Sequence, residues 1–143
     1  GRNVRDIDDV SLKIDVDFDW ATLTSVSAYN RLTEFVSGDQ FPYTAALNPF
    51  GIDGTQTQFT DIDALSQEIR LTSPTAQRLR WMVGAYFLDI NRFISTTTGF
   101  DSGTGIARVE RTPRPATVTN PTLSFFADDN DNRNYAAFGN LSY

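Results

Sequence analysis

The strongest constraint in this sequence is a two-residue alternation that runs, with one break, from Asp63 to Asn91. Ala64, Ser66, Glu68, Arg70 and Thr72 alternate with Leu65, Gln67, Ile69, Leu71 and Ser73. After Ser73-Pro74-Thr75 the pattern resumes, with Leu79, Trp81, Val83, Ala85 and Phe87 on one side and Arg80, Met82, Gly84, Tyr86 and Leu88 on the other. Side chains of a strand point alternately to opposite faces, so this pattern predicts a β-hairpin. Its polar turn places Pro74 where no ladder donor is needed. Pairing Leu71 with Trp81 would set Ile69 beside Val83 and Leu65 beside Phe87. One face is then apolar, and the other carries Glu68, Arg70 and Arg80. In a soluble sandwich the apolar face would meet a second sheet. In a membrane barrel it would meet lipid, with the charged face toward the lumen. Periodicity fits either arrangement.

The rest of the chain repeats the motif. Val10, Leu12, Ile14, Val16 and Phe18 alternate with Ser11, Lys13, Asp15 and Asp17, predicting a strand over 10–18. A reversal at Asp17–Trp20 leads into a second strand over 21–36, rich in Thr, Ser, Val and Tyr. A two-residue turn there sets Leu23 beside Ile14. A three-residue turn shifts the register and sends Ser25, Ser27 and Tyr29 to the charged face, and this version suits a polar lumen better. Further strands are expected over 63–73, 79–91 and 134–143. Residues 1–9 are charged and aperiodic and read as loop. Two long connections, 37–62 and 92–133, carry most of the Gly and Pro. Short turns thus alternate with long loops. In an up-and-down meander this places all short turns at one end and all long loops at the other, as in outer-membrane barrels. Phe18, Trp20 and Trp81 fall near one strand end, and Phe87 and Phe93 toward the other, as aromatic girdles would.

Composition removes several classes of function. Cysteine and histidine are absent, which excludes disulfides, thiolate or imidazole metal sites, and Ser-His-Asp or Cys-His catalysis. The net charge of −6 disfavours nucleic acid as a partner. The longest apolar run, Trp81–Leu88, is far short of a transmembrane helix, although barrel strands need no such run. Asp128, Asn130 and Asn132 match the first three ligand positions of a calcium loop. Arg133 stands at the sixth and Gly139 at the twelfth position, so an EF-hand is excluded and a solvated loop entering a strand is expected. Asp61 and Asp63, at the expected start of the third strand, show no organised acid/base pair. No enzyme is expected.

Four segments carry a family resemblance. SQEIRLTSP (Ser66–Pro74) followed by RWMVGAYFLD (Arg80–Asp89), together with TLTSVSAYN (Thr22–Asn30) and YAAFGNLSY (Tyr135–Tyr143), resembles the barrel of TonB-dependent outer-membrane receptors. The order of the segments is the order that family uses. The resemblance implies that residues 1–143 are a fragment of the barrel domain: an all-β antiparallel up-and-down meander of about five strands, forming part of a transmembrane wall. It also implies a place in the outer membrane of a Gram-negative bacterium. The activity implied is receptor-mediated uptake of an iron chelate, such as a ferric siderophore, or a similar bulky nutrient. The partners implied are outer-membrane lipid, the plug domain of the complete receptor and a TonB-type energy-coupling protein. The plug and the coupling motif lie upstream in that family and are not among these residues.

Glu68, Arg70 and Arg80 are then expected to face the lumen. Phe41, Tyr43 and Phe50 in one long loop, and Arg108, Arg111 and Arg114 in the other, are candidate ligand contacts. The arginines suit an anionic ligand. No cofactor or metal is expected. The alternative is a soluble or cell-surface β-sandwich module that binds carbohydrate through Phe41, Tyr43 or Trp20. The two readings differ over Leu65, Ile69, Leu71, Trp81, Val83, Ala85 and Phe87, which a sandwich must bury and a membrane wall must leave uncovered.

Overall fold

The computed structural model describes residues 1–40 and 53–143. It contains five strands: β1 (Arg2–Asp17), β2 (Thr22–Asp39), β3 (Asp53–Thr72), β4 (Arg80–Asp101) and β5 (Thr122–Ser142). They form one sheet in the order β1-β2-β3-β4-β5, so every strand pairs only with its neighbours in sequence. The protein is an all-β antiparallel meander with an open sheet, and β1 and β5 are its edges. No helix among the described residues is long and apolar enough to cross a membrane, which says nothing of crossing by strands.

All five strands were anticipated, but four are much longer than the alternation suggests. β4 has 22 residues and β5 has 21, where strands of soluble domains commonly have about 5–6. The expected loops at 37–62 and 92–133 shrink to the connections between Asp39 and Asp53 and between Asp101 and Thr122. Residues 2–9, expected as loop, belong to β1. The reason is cross-strand pairing of polar side chains, which a hydrophobic pattern does not register. Arg5 and Asn3 on β1 both donate to Glu34 Oε1 on β2, at 2.6 Å for Arg5 Nη2 and 3.2 Å for Asn3. The hydroxyls of Thr57 and Thr97 pair between β3 and β4, and those of Thr98 and Ser124 between β4 and β5. The acidic run Asp128–Asn132, expected as a solvated loop, lies inside β5, where Asp128 accepts from Arg92 at 2.9 Å. Asp61 and Asp63 likewise lie within β3 rather than at its start.

The strands contribute to two compact units. Unit 1 comprises Gly1–Ile7, Leu32–Ile62 and Arg92–Asn130; unit 2 comprises Asp8–Arg31, Asp63–Asn91 and Asp131–Tyr143.

Unit 2 contains both short turns. Phe18 N–H donates to the Ala21 carbonyl at 2.9 Å, leaving Asp19 and Trp20 at the tip. Thr22 and Thr24 hydroxyls donate to Asp17 and Asp15, at 2.7 and 2.6 Å, which fixes those residues on one face. Ser25 and Ser27 bond instead to Gln67, which shares its side of β3 with Leu65 and Ile69. The preferred expectation for β2 is therefore reversed: Ser25, Ser27 and, by alternation, Tyr29 lie on the apolar face. At the second turn, Ser73 N–H donates to the Trp81 carbonyl at 2.9 Å. This pairing slides the hairpin two residues from the expected register, placing Leu71 opposite Val83 and Ile69 opposite Ala85. A two-residue slide preserves the faces.

In unit 1, by contrast, a layer covers the sheet. The connection after β4 folds back so that Val109 is buried with Phe35 and Phe59, together with Thr57, Ser95 and Thr97. Asp101 fixes the start of this connection: its Oδ1 accepts from the amides of Gly103, Thr104 and Gly105 at 2.9–3.0 Å. Asn120 closes the other end in the left-handed region (φ 56°). Its amide group donates to Thr104 and Gly105, and its Oδ1 accepts from Ser102.

Candidate functional site

Two surfaces gather the residues singled out from the sequence. The first is the apolar face of unit 2. None of its seven diagnostic residues is buried: Leu65 and Ile69 are each 49% exposed and Val83 is 50% exposed. Ala85 is also exposed, and Leu71, Trp81 and Phe87 are half-buried. From β1, Val10, Leu12, Ile14 and Val16 add further exposed aliphatic surface.

Aromatic rings mark this face. Trp20 stacks between Phe18 and Trp81, with ring centroids 6.1 and 6.5 Å away. Phe87 meets Tyr135 at 5.1 Å. A polar cluster on this face joins Gln67 to Ser25 and Ser27: the Gln67 amide nitrogen donates to Ser25 Oγ and the Glu68 carbonyl, both at 3.0 Å, while its oxygen accepts from Ser27. A polar group in an apolar environment is tolerated when its bonds are satisfied in this way. Sequence alternation located Gln67 on this face, but its serine partners depend on the β2 register, which it missed.

The opposite face of unit 2 carries the expected charged set. Arg70 reaches Glu68 at 3.7 Å, and Arg80 lines an open groove with Thr72, Met82 and Asn140. Here Phe138 lies across Gly84. A Cβ on Gly84 would stand 2.4 Å from Phe138 Cζ and 3.0 Å from the Ile69 carbonyl oxygen, so the ring occupies the space a side chain would need.

The second surface is the covered face of unit 1, where the three loop arginines take separate partners. Arg108 lies 5.1 Å over the ring of Phe35 and pairs with Glu110 at 2.5 Å. Arg111 lies 4.2 Å over Phe93 and pairs with Asp61 at 2.7 Å. Arg114 donates to the carbonyls of Thr119 and Asn120, at 2.8 and 3.1 Å, closing its own connection. Arg108 and Arg111 are thus directed onto the sheet, and Arg114 onto the loop exit. Asp61, expected as a solvated strand end, is the carboxylate beneath Arg111, with its side chain only 14% exposed. Phe41, Tyr43 and Phe50 lie outside the described residues.

Also in unit 1, the Arg5 guanidinium, and after it the Asn3 amide, hold the Glu34 carboxyl below the ordinary glutamate range. Among the described residues no group of acidic side chains is arranged to hold a metal ion. No family model matches the sequence, and no curated protein matches it.

Proposed function

We propose that unit 2 is a lipid-facing stretch of an outer-membrane β-barrel wall, and that the chain is part of a TonB-dependent receptor. In this reading the complete protein takes up an iron chelate or a similarly bulky nutrient, energised by a TonB-type partner. The observation that carries the wall reading is the uncovered apolar face. Leaving a large apolar side chain in water forgoes roughly 1.5–3 kcal/mol, so a sandwich module would bury Leu65, Ile69 and Val83 under a second layer. A wall has lipid for that purpose.

Dimensions agree with this reading. At about 3.4 Å per residue, the run Val10–Phe18 rises about 27 Å; a tilt of about 40° projects it to about 21 Å, near the roughly 25 Å apolar band of membrane barrels. The tryptophans stack at the short-turn end, where a bilayer interface favours amphipathic rings. Glu68, Arg70 and Arg80 on the other face suit a hydrated lumen. The receptor family itself rests on the four resembling segments.

Quenching of tryptophan fluorescence by lipids tests the wall. The chain is reconstituted in vesicles whose acyl chains are brominated at defined depths. Trp20 and Trp81 should be quenched most strongly by shallow bromines. A chain that stays in solution without detergent or lipid, and shows no quenching, would overturn the proposal.

A further inference from the structure

The sequence suggests Arg108 and Arg111 as contacts for an anionic ligand, yet both guanidinium groups are turned onto unit 1's own sheet. What they touch has the chemistry of a cation site. Phe35 and Phe93 present ring faces to the two guanidinium groups, at 5.1 and 4.2 Å. Asp61 supplies a largely covered carboxylate at 2.7 Å from Arg111. Ring faces attract cations through their quadrupole, and a guanidinium combines stacking with directed hydrogen bonds to a carboxylate.

The backbone between the two arginines is read as well. The fully buried Ser95 hydroxyl donates to the Glu110 carbonyl, and Val109, beside Glu110 in the chain, is buried. One ring subsite at Phe35, one ring-and-carboxylate subsite at Phe93 and Asp61, and one backbone contact amount to recognition of an extended peptide, while Glu110 of the segment itself pairs with Arg108. This peptide is not a strand of the sheet: residues 106–111 lie outside β4 and β5.

We infer that the face of unit 1 bearing Phe35, Phe93, Asp61 and Ser95 is a recognition site for guanidinium groups on an extended segment, occupied in this structure by the chain's own Arg108–Arg111. The ligand class is a cationic, arginine-bearing peptide, opposite in charge to the ligand those arginines suggest on their own. The local anchors at Asp101 and Asn120 hold the two ends of the connection independently of this contact. The middle can therefore leave the sheet without unpairing β4 from β5, and a competing segment can take its place. The inference does not depend on the membrane reading.

The test uses the full chain in detergent micelles and a synthetic peptide of residues 106–112. In the double variant Arg108→Ala, Arg111→Ala both ring subsites are vacated while Val109 remains. This variant should bind the peptide at millimolar concentration, seen as shifts of the Phe35, Phe93 and Asp61 resonances, at least tenfold more tightly than the unaltered chain does. The same peptide with both arginines replaced by glutamine should bind neither protein. Equal binding of the two peptides, or no shift with ten millimolar arginine peptide, would overturn the inference. If the double variant loses the circular dichroism of the sheet, Arg108→Gln alone, which retains the Arg111–Asp61 pair, makes the same comparison at one subsite.

Discussion

Unit 1 and unit 2 are built from the same five strands and treat their apolar surface in opposite ways. In unit 1, residues following β4 return to the sheet: Arg108 lies over Phe35, and Phe35, Phe59 and Val109 are all buried. In unit 2, Leu65, Ile69 and Val83 are about half exposed, and no described residue forms a layer over them. The difference shows that strand pattern alone does not decide burial. It is decided by whether the chain spends a connection on covering the sheet, and in the proposed reading lipid takes the place of that cover in unit 2.

The most disruptive way to challenge this comparison is a charge on the uncovered face. Ile69→Arg should destabilise the reconstituted protein by about 2–4 kcal/mol, the cost of arginine near the middle of a lipid-facing strand. In detergent-free buffer the same change should leave secondary structure intact and improve solubility. Urea unfolding in vesicles, compared with solubility in buffer, separates the two. A similar loss in both environments would mean that protein covers Ile69.

The opposite face of unit 2 offers a steric test. Gly84→Ala should cost about 1–3 kcal/mol, typical of overpacking, because the added methyl meets Phe138 and the Ile69 carbonyl. Combining it with Phe138→Leu should recover part of that loss in the same unfolding assay. An effect no larger than that of an ordinary surface alanine would show that Phe138 moves aside freely.

In unit 1 the sensitive residue is the covering one. Val109→Ala should cost about 1–2 kcal/mol, as removal of buried methyl groups does. Amide exchange should quicken at Phe35, Phe59 and Ser95 and remain unchanged at Ile69 and Val83. Faster exchange in both units would show that their stabilities are not separable.

The smallest effect concerns Glu34. Its folded-state carboxyl titrates below the ordinary glutamate range because Arg5, then Asn3, bonds to the charged form. The stabilising contribution is therefore complete above the unfolded value and is lost as pH falls through the folded one. Glu34→Gln should abolish this acid-limb dependence. A carboxyl titration of Glu34 followed by NMR, showing an ordinary midpoint, would remove the tether from the account of unit 1.

Legibility in the sequence followed the kind of force that sets each feature. Alternation of Leu65, Ile69, Leu71, Val83 and Phe87 was sufficient to define both faces of the hairpin, because burial or exposure of large side chains has a fixed period. The register at Ser73–Trp81 depended on a backbone bond and a serine side chain at the turn, and neither is periodic. The outer halves of β3, β4 and β5 are built from threonine pairs and ion pairs such as Arg92–Asp128, so they read as polar loop. Arg108 and Arg111 stood out by spacing, but their partners Phe35, Asp61 and Phe93 come from three other strand segments. Nothing local to the arginines indicates that they face inward.

The two borders of the sheet, β1 and β5, which pair on one side only among the described residues, bear on what happens when copies of the chain meet. β1 carries Asp6, Asp8, Asp9, Asp15 and Asp17, and β5 carries Asp128, Asp129 and Asp131. Joining β5 of one copy to β1 of the next would be a head-to-tail contact, and repetition of it would build an open filament. Each such junction brings two acidic borders together, so repulsion opposes polymerisation as long as the carboxylates are ionised. Acidification or concentrated salt weakens that protection, and fibre growth should then begin at these borders, ahead of any unfolding of the sheet.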